Sequence, residues 1–417
     1  MNLTAEPINR SDEHLLSIRN LVIDVSTLQR SGYVVYKLSG EEIQKKRRCF
    51  DCSKSLSKHD LRHSAHPKTP APITLSTSTS TSTPPLSHEA ATRSEQSERT
   101  GNKKDSMKRC RFHSGRVNNR YWTCCQKPIM AQPCCSRDEH SPRHYRPGEL
   151  ESNWLYHQTP SPPPSKGRSL ISPAVVIDCE MGTADSGETE LIRLSLIDFY
   201  SGRILLDKLV FPDCKMAHYN TRFSGVSRAM MNEARRARTC IFGRAKARQE
   251  VWRFVGPETI VVGHGANGDM SSLRWIHHTV IDTLLLEQNW VRQQELIQEK
   301  KLKEEALQKE KEAREAGIIL DDGQLLEGEG EGEDEGGVSV EKKTVQPKPP
   351  MSLKALTKER LNRIIQINGQ GHDSVEDAIA TRDLLQWYIL NRTTPSQTPQ
   401  WRGHAVHVPA EDVDLLI

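Results

Sequence analysis

The sequence predicts an α/β protein: a mixed β-sheet flanked by helices, preceded by a small cysteine-rich module. Three observations predict the sheet and its helices. Ala174-Val175-Val176-Ile177-Asp178-Cys179 is a short apolar run rich in β-branched residues, which reads as a buried strand. Thr259-Ile260-Val261-Val262-Gly263 is a second such run, ended by glycine. Ala378 to Leu390 is an amphipathic stretch of helical period.

The elements follow in order. Strands are expected at Ala174–Cys179, Leu191–Asp198, Arg203–Val210 and Thr259–Gly263, with another near Thr279–Ile281. The first three are joined by short turns, Ser201-Gly202 among them, which predicts an antiparallel meander. Asn267-Gly268-Asp269-Met270 opens a helix running through Leu273 and Trp275, with Asp269 in its first turn. Before the last helix, Ser374 fits an N-cap with Asp377 three residues later, as in a capping box. His372 then falls on the preceding loop and Asp377 on the first turn.

The chemistry-bearing residues sit at the ends of these elements. Asp178 and Glu180 are two apart on a strand and share a face. Two carboxylates held side by side repel each other unless a cation lies between them. Hard oxygen ligands suit Mg²⁺ or Mn²⁺, and paired metals clamping the attacking and leaving oxygens are a usual construction for phosphodiester cleavage. Asp269 and Asp377 add two carboxylates, and His372 adds a side chain whose near-neutral pKa suits a general base. Each has an ordinary explanation alone: an aspartate at a helix start caps it, and a loop histidine is a surface residue. Their joint occurrence in this order carries the reading.

Asp178-Cys179-Glu180, then Gly263-His264-Gly265-Ala266-Asn267-Gly268-Asp269, then His372 with Asp377 five residues on, resemble the three exonuclease motifs of the DEDD superfamily in its histidine-containing branch. Ile281-Asp282-Thr283-Leu284 and Ser352-Leu353-Lys354-Ala355-Leu356 resemble connecting segments of Rex-type RNA exonucleases of the fungal type. The resemblance spans roughly Ala174 to Leu390 and implies a ribonuclease-H-like mixed sheet. It also implies roles. Asp178 would bridge two metals, Glu180 and Asp377 would hold the one carrying the attacking water, Asp269 would support the second, and His372 would take the proton. The family shortens chains from the 3′ end and releases nucleoside 5′-monophosphates, and single-stranded RNA 3′ ends are the expected partner here. One departure is Gly268, where the family carries Asn; Asn267 stands one place earlier, which puts the helix entry in question. Two other readings remain open: an exonuclease acting on DNA, and a catalytically silent nuclease fold used as a scaffold.

Net charge is only +4, unevenly spread. Arg235, Arg236, Arg238, Arg244, Lys246 and Arg248 form a basic stretch, and Lys45-Lys46-Arg47-Arg48, Lys103-Lys104 and Lys108-Arg109 form others. These suit a polyanionic partner or a solvated helix face. Aromatic residues make up 5%, too few for an extended base-stacking platform. The chain has no stretch of transmembrane length and no apolar signal-peptide core, so an intracellular protein of nucleus or cytoplasm is expected, with no membrane partner.

In that setting the ten cysteines argue for metal before disulfides. Cys49 and Cys52, Cys110 and His113, Cys124 and Cys125, and Cys135 and His140 are short pairs, each closing a small chelate. They offer eight ligands for two structural Zn²⁺ ions. Cys110-Arg111-Phe112-His113-Ser114-Gly115, Trp122-Thr123-Cys124-Cys125 and Cys135 to His140 are similar to a CHORD-type double-zinc domain, with Ser114 where that family has proline. CHORD-type domains mediate protein contacts, which implies a docking role; RNA binding competes, favoured by the nearby cations.

The expected organisation is an N-terminal segment 1–48, a zinc module 49–145 interrupted by a low-complexity stretch 53–109, a linker 146–172, an exonuclease domain 173–392, and a tail 393–417. Leu15 to Leu38 is taken as a short helix and strand on the zinc module. The exonuclease domain carries an insertion, 293–350, whose first half (Leu296 to Ala316) reads as a solvated charged helix and whose second half (Glu327 to Gly337) is Gly/Glu-rich. Thr69 to Pro85 and Pro160 to Pro164 are expected to be non-globular.

Overall fold

The structure is a computed structural model that describes residues 6–57, 60, 74–75, 109–118, 120–161, 170–315, 351–367 and 371–392. Most of the expected non-globular stretches, the Gly/Glu-rich half of the insertion and the tail lie outside those residues.

A seven-stranded mixed sheet organises the second half of the chain. Its first three strands are β1 (Ala174–Ala184), β2 (Thr189–Asp198) and β3 (Ile204–Phe211). They form the predicted antiparallel meander, with Asp178 opposite Ser195 and Ser195 opposite Asp207. A short strand β4 (Met216–His218) pairs with the far end of β1. A turn of helix α3 (Thr221–Ser224) and helix α4 (Arg228–Arg236) lead to β5 (Ile241–Phe242), parallel to β3. After helix α5 (Gly243–Trp252), β6 (Ile260–Gly263) runs parallel to β1, and β7 (Val280–Asp282) runs parallel to β6. Helix α6 (Asn267–Ser272) lies between β6 and β7. Helices α7 (Thr283–Glu315), α8 (Leu353–Leu361) and α9 (Ser374–Arg392) complete the domain. Antiparallel meander, parallel inner strands and helices on both faces make this a ribonuclease-H-like α/β fold.

Alternation along β1 sorts the core into two layers. Ala174 and Val176 face a cluster with Val375, Ala378, Ile379 and Leu384 of α9. Val175, Ile177 and Cys179 face Ala247 and Val251 of α5 and Met270 and Leu273 beside α6. Asp178 and Glu180 continue the first series, so they point toward α9, whereas α6 approaches from the other side.

The N-terminal segment belongs to these layers. Residues 12–38 form two helices, α1 (Asp12–Arg19) and α2 (Val25–Arg30), and no strand. Ile18 and Leu21 are buried against Phe199, Tyr200 and α9; Ile23, Leu28, Tyr33 and Val35 are buried in the opposite layer. The expected packing on the zinc module is corrected here: the apolar face found a larger uncovered surface on the sheet domain. The charged helix of the insertion is one rod with α7, running on from Thr283. Its buried residues are Thr283, Leu286 and Glu287, and pairs such as Lys303–Glu299 and Arg314–Glu310 lace the outer part. Among the described residues no helix is long and apolar enough to cross a membrane.

Candidate active site and metal centres

The expected catalytic residues converge at one end of the sheet. One ligand atom each from Glu180, His372 and Asp377 lies within 4.8 Å of the others. Asp178 and Asp269 flank this trio, close enough for their charges to act on one another. A β-bulge follows Glu180, where the register with β2 shifts between Glu180 and Met181. Such a bulge re-aims the strand end. Asp269 arrives on α6 from the opposite face and takes hydrogen bonds from Cys179, which explains why it stands apart from the trio.

Burial and mutual repulsion set the electrostatics. Asp178 is raised well above the usual carboxylate range, first by burial and then by Asp269, Asp377 and Glu180. Glu180 is pushed up to about 8 by burial and Asp377, with Arg193 opposing. Asp377 is pushed up to about 6 by burial, with a hydrogen bond from Gln366 opposing. Asp269 is raised by burial and by Asp282. Asp377 Oδ1 is buried and lacks a hydrogen-bond partner, although buried carboxylate oxygens are normally satisfied. A divalent cation supplies both the missing partner and the missing charge, so the residues fit a hard-metal site.

His372 sits on a loop pinned by backbone contacts. Its N–H donates to Phe223 O at 2.5 Å. A Cβ on Gly371 would stand 2.5 Å from Gly225 Cα, so only glycine fits there, and its φ of +78° favours glycine too. Asn220 Nδ2 in turn donates to Met181 O, tying α3 to the strand that carries Glu180. The ring is partly exposed, with Nδ1 3.7 Å from Asp377 Oδ2. Burial, and then Lys354, lower its pKa, which keeps it neutral and able to accept a proton.

The capping box expected at α9 is corrected. Asp373 caps the helix: its side chain accepts from Val375 N and its carbonyl from Asp377 N. Ser374 is fully buried, and its hydroxyl meets Ser195 Oγ at 2.7 Å under the site. The helix entry questioned at Gly268 forms normally. Met270 N donates to Ala266 O, and a Cβ on Gly268 would make only ordinary contact with Met181.

Four positioning residues escaped sequence reasoning. Arg193, opposite Glu180, is held bidentately by Asp207 and reaches Asp373 at 3.1 Å. Gln366 Nε2 donates to Asp377 Oδ2 at 2.9 Å. Asp282, 1% exposed, accepts from Gly265 N, Ala266 N and Leu284 N, fixing the turn into α6. Tyr33 donates to Asp282 Oδ2 at 2.5 Å, and Ser31 O accepts from Asn267 Nδ2. The N-terminal segment therefore braces the helix that carries Asp269. Its distance in sequence hides it, and Asp282 stands in the sequence only as part of a connecting segment.

The cysteine-rich module gathers two quartets, Cys49, Cys52, Cys110 and His140, and His113, Cys124, Cys125 and Cys134. Sulfur–sulfur separations of 3.7 Å (Cys49–Cys110) and 3.5 Å (Cys124–Cys134) match a tetrahedron with Zn–S of about 2.3 Å. His113 Nε2 faces Ala131 O and so carries the hydrogen, leaving Nδ1 free toward Cys124 and Cys125. Two expectations are corrected. Cys110 and His113 do not form one chelate: Cys110 opens the strand Cys110–Phe112, His113 follows its end, and they enter different quartets. Cys135 belongs to neither; Cys134 stands in the second quartet, while Cys135 is 2% exposed and packs with Leu56 and Phe112 in the module's small core.

Residues 175–317 match the exonuclease family RNase_T. The chain is 25% identical over 283 residues to RNA exonuclease 3 of Candida albicans, covering 68% of this chain and 54% of that one. It is 28% identical over 296 residues to RNA exonuclease 3 of Emericella nidulans, covering 66% and 37%. The chain thus spans about half the length, or less, of these curated relatives. Among solved structures, the Pan2 catalytic unit of Neurospora crassa is 15% identical with a TM-score of 0.34, covering 62% of this chain and 36% of that chain.

Proposed function

We infer that this protein is a metal-dependent 3′→5′ exoribonuclease of the histidine-containing DEDD branch, trimming single-stranded RNA and releasing nucleoside 5′-monophosphates. The observation that carries this reading is the meeting of Glu180, His372 and Asp377 within 4.8 Å, beside the buried carboxyls of Asp178 and Asp269. The similarity to proteins named RNA exonuclease 3 supports RNA over DNA as substrate. The presence of every carboxylate argues against a silent scaffold.

Asp178, Glu180, Asp377 and Asp269 would hold Mg²⁺ or Mn²⁺. Bound there, the ions supply Lewis acidity and a water of lowered pKa. His372, kept neutral, accepts the proton of the attacking water. Arg193 and Gln366 hold Glu180 and Asp377 in place, and Asp282 with Tyr33 holds Asp269.

The two cysteine quartets support structural Zn²⁺ in a CHORD-like module, for which docking to a protein partner is the natural role. Reduced thiols of this kind fit an intracellular location, nucleus or cytoplasm. The boundaries proposed above are changed in two places: residues 6–35 join the exonuclease domain, and so do residues 149–159 of the expected linker, which form a helix and a strand paired with Trp275–Ile276.

The test is incubation of the purified chain with 5′-labelled single-stranded RNA and a matched DNA, with Mg²⁺, Mn²⁺ or EDTA. A ladder shrinking from the RNA 3′ end, abolished by EDTA and by Asp178→Ala, is expected. No shortening by folded protein would return the scaffold reading, and preferential shortening of DNA would return the DNA exonuclease.

A further inference from the structure

The basic stretch singled out in the sequence divides in the structure. Its second half is used internally: Arg244 pairs with Glu190, Lys246 with Glu250, and the buried Arg248 donates to Leu273 O. Its first half is not. Arg235, Arg236 and Arg238 are exposed at the end of α4, as is Lys208 on the neighbouring β3. Among the described residues none of these four has an ion-pair partner. Arg235 is fixed in place over the Phe211 ring, 5.2 Å from its centroid.

Of these cations Lys208 lines a cavity of about 790 Å³ that begins at His372, and Arg235 and Arg238 stand next in the chain to its lining residues Ala234 and Thr239. Lys208 and Leu209 of β3 form one wall and Met230 and Ala234 of α4 the other. Its carboxylates are each engaged: Asp207 and Asp373 share the one guanidinium of Arg193, and Glu376 accepts from Gln366 N. The cavity thus joins apolar walls, on which a base can lie, to the unpaired Lys208, with Arg235 and Arg238 adjoining its lining in the chain, and it is continuous with the proposed general base.

We propose that this groove, between β3 and α4, carries the body of the RNA strand upstream of the scissile phosphate, with Lys208, Arg235 and Arg238 contacting successive phosphates. The proposal rests on the exoribonuclease reading above. An enzyme that removes one terminal nucleotide at a time must hold the remaining strand without reading it. Phosphate contacts do this, being independent of sequence and sensitive to salt.

The test compares wild type with Lys208→Ser/Arg235→Ser/Arg238→Ser. Binding of a long fluorescein-labelled RNA is measured by anisotropy in EDTA across a KCl series, and hydrolysis of an RNA dinucleotide is measured with Mn²⁺. The triple variant is expected to bind long RNA more weakly, its log affinity against log salt being shallower by about 2, at roughly 0.7 per single-strand phosphate contact. Dinucleotide turnover stays at the wild-type level, and Arg235→Lys/Arg238→Lys keeps the wild-type slope. An unchanged slope, with RNA still cleaved by both proteins, overturns the groove and leaves the exonuclease reading standing. Loss of dinucleotide turnover in a folded variant also overturns it, because the cations would then serve the site itself. A shallower slope with no hydrolysis by either protein supports the groove and removes the exonuclease.

Discussion

Glu180 and Asp377 are the side chains whose ionisation governs cation binding. Their folded pKa values, about 8 and about 6, lie above the ordinary 4.5 and 3.8. A carboxyl raised in this way binds more protons folded than unfolded. Its contribution to stability is full below the ordinary value and is lost as pH rises to the folded one. Without a divalent ion the domain should therefore lose stability between about pH 4 and pH 8 through these groups. A cation replaces the protons, so the rise in Tm on adding Mg²⁺ should be larger at pH 8 than at pH 6; thermal melts at the two pH values decide, and a larger rise at pH 6 contradicts the assignment. At the same scale, Tyr33→Phe removes only the hydroxyl that steadies Asp282. Loss of a group bonded directly to a metal ligand typically costs about 10–100-fold in metal affinity; Tyr33 acts one step farther out, so a loss of about 10-fold or less is expected. Calorimetric titration with Mn²⁺ should show a decrease of that order, and an affinity equal to wild type would leave Tyr33 a packing residue alone.

The elements differ in how much each contributes. Helix α1 buries Ile18 fully against Phe199 and α9, so Ile18→Ala should cost about 2–5 kcal/mol, read as a lowered denaturation midpoint of the exonuclease domain. A midpoint unmoved by that change would show that the N-terminal segment lies on the domain without being part of it. Helix α7 is the opposite case. Beyond its first turns it exposes Leu296, Ile297, Leu302 and Leu307, and its ion pairs are surface pairs of little worth. Excising Leu296 to Val345 should leave Tm and RNA turnover unchanged while lowering the helical circular dichroism. A rise in turnover would mean that the acidic insertion holds substrate away.

At the scale of the whole molecule, the proposed sites keep two metal chemistries apart: oxygen ligands in the sheet domain, thiolates and imidazoles in the module before it. Zinc content should separate the two adjacent cysteines. Cys134→Ser should lower bound zinc from two ions per chain to one, and Cys135→Ser should leave two, because Cys134 stands in a quartet and Cys135 in the core. The reverse result would restore Cys135 as the ligand.

What the sequence determined by itself is local in origin. Strand alternation placed Asp178 and Glu180 on one face, apolar runs located β1, β2, β3, β6 and β7, and the turn at Ser201-Gly202 fixed the meander. These follow from periodicity and backbone preference, which neighbouring residues express without help. Tertiary structure decided the rest. Which cysteine joins which quartet depends on meetings between segments remote in sequence, as where Cys110 joins Cys49, Cys52 and His140. Whether a cation is free or spent depends on partners such as Glu190 that are remote in sequence. The contact of Tyr33 with Asp282 bridges about 250 positions (282 against 33) and exists only because the sheet left a face for α1 and α2 to cover. Burial is a property of the assembled chain, and so is every pairing that burial makes strong.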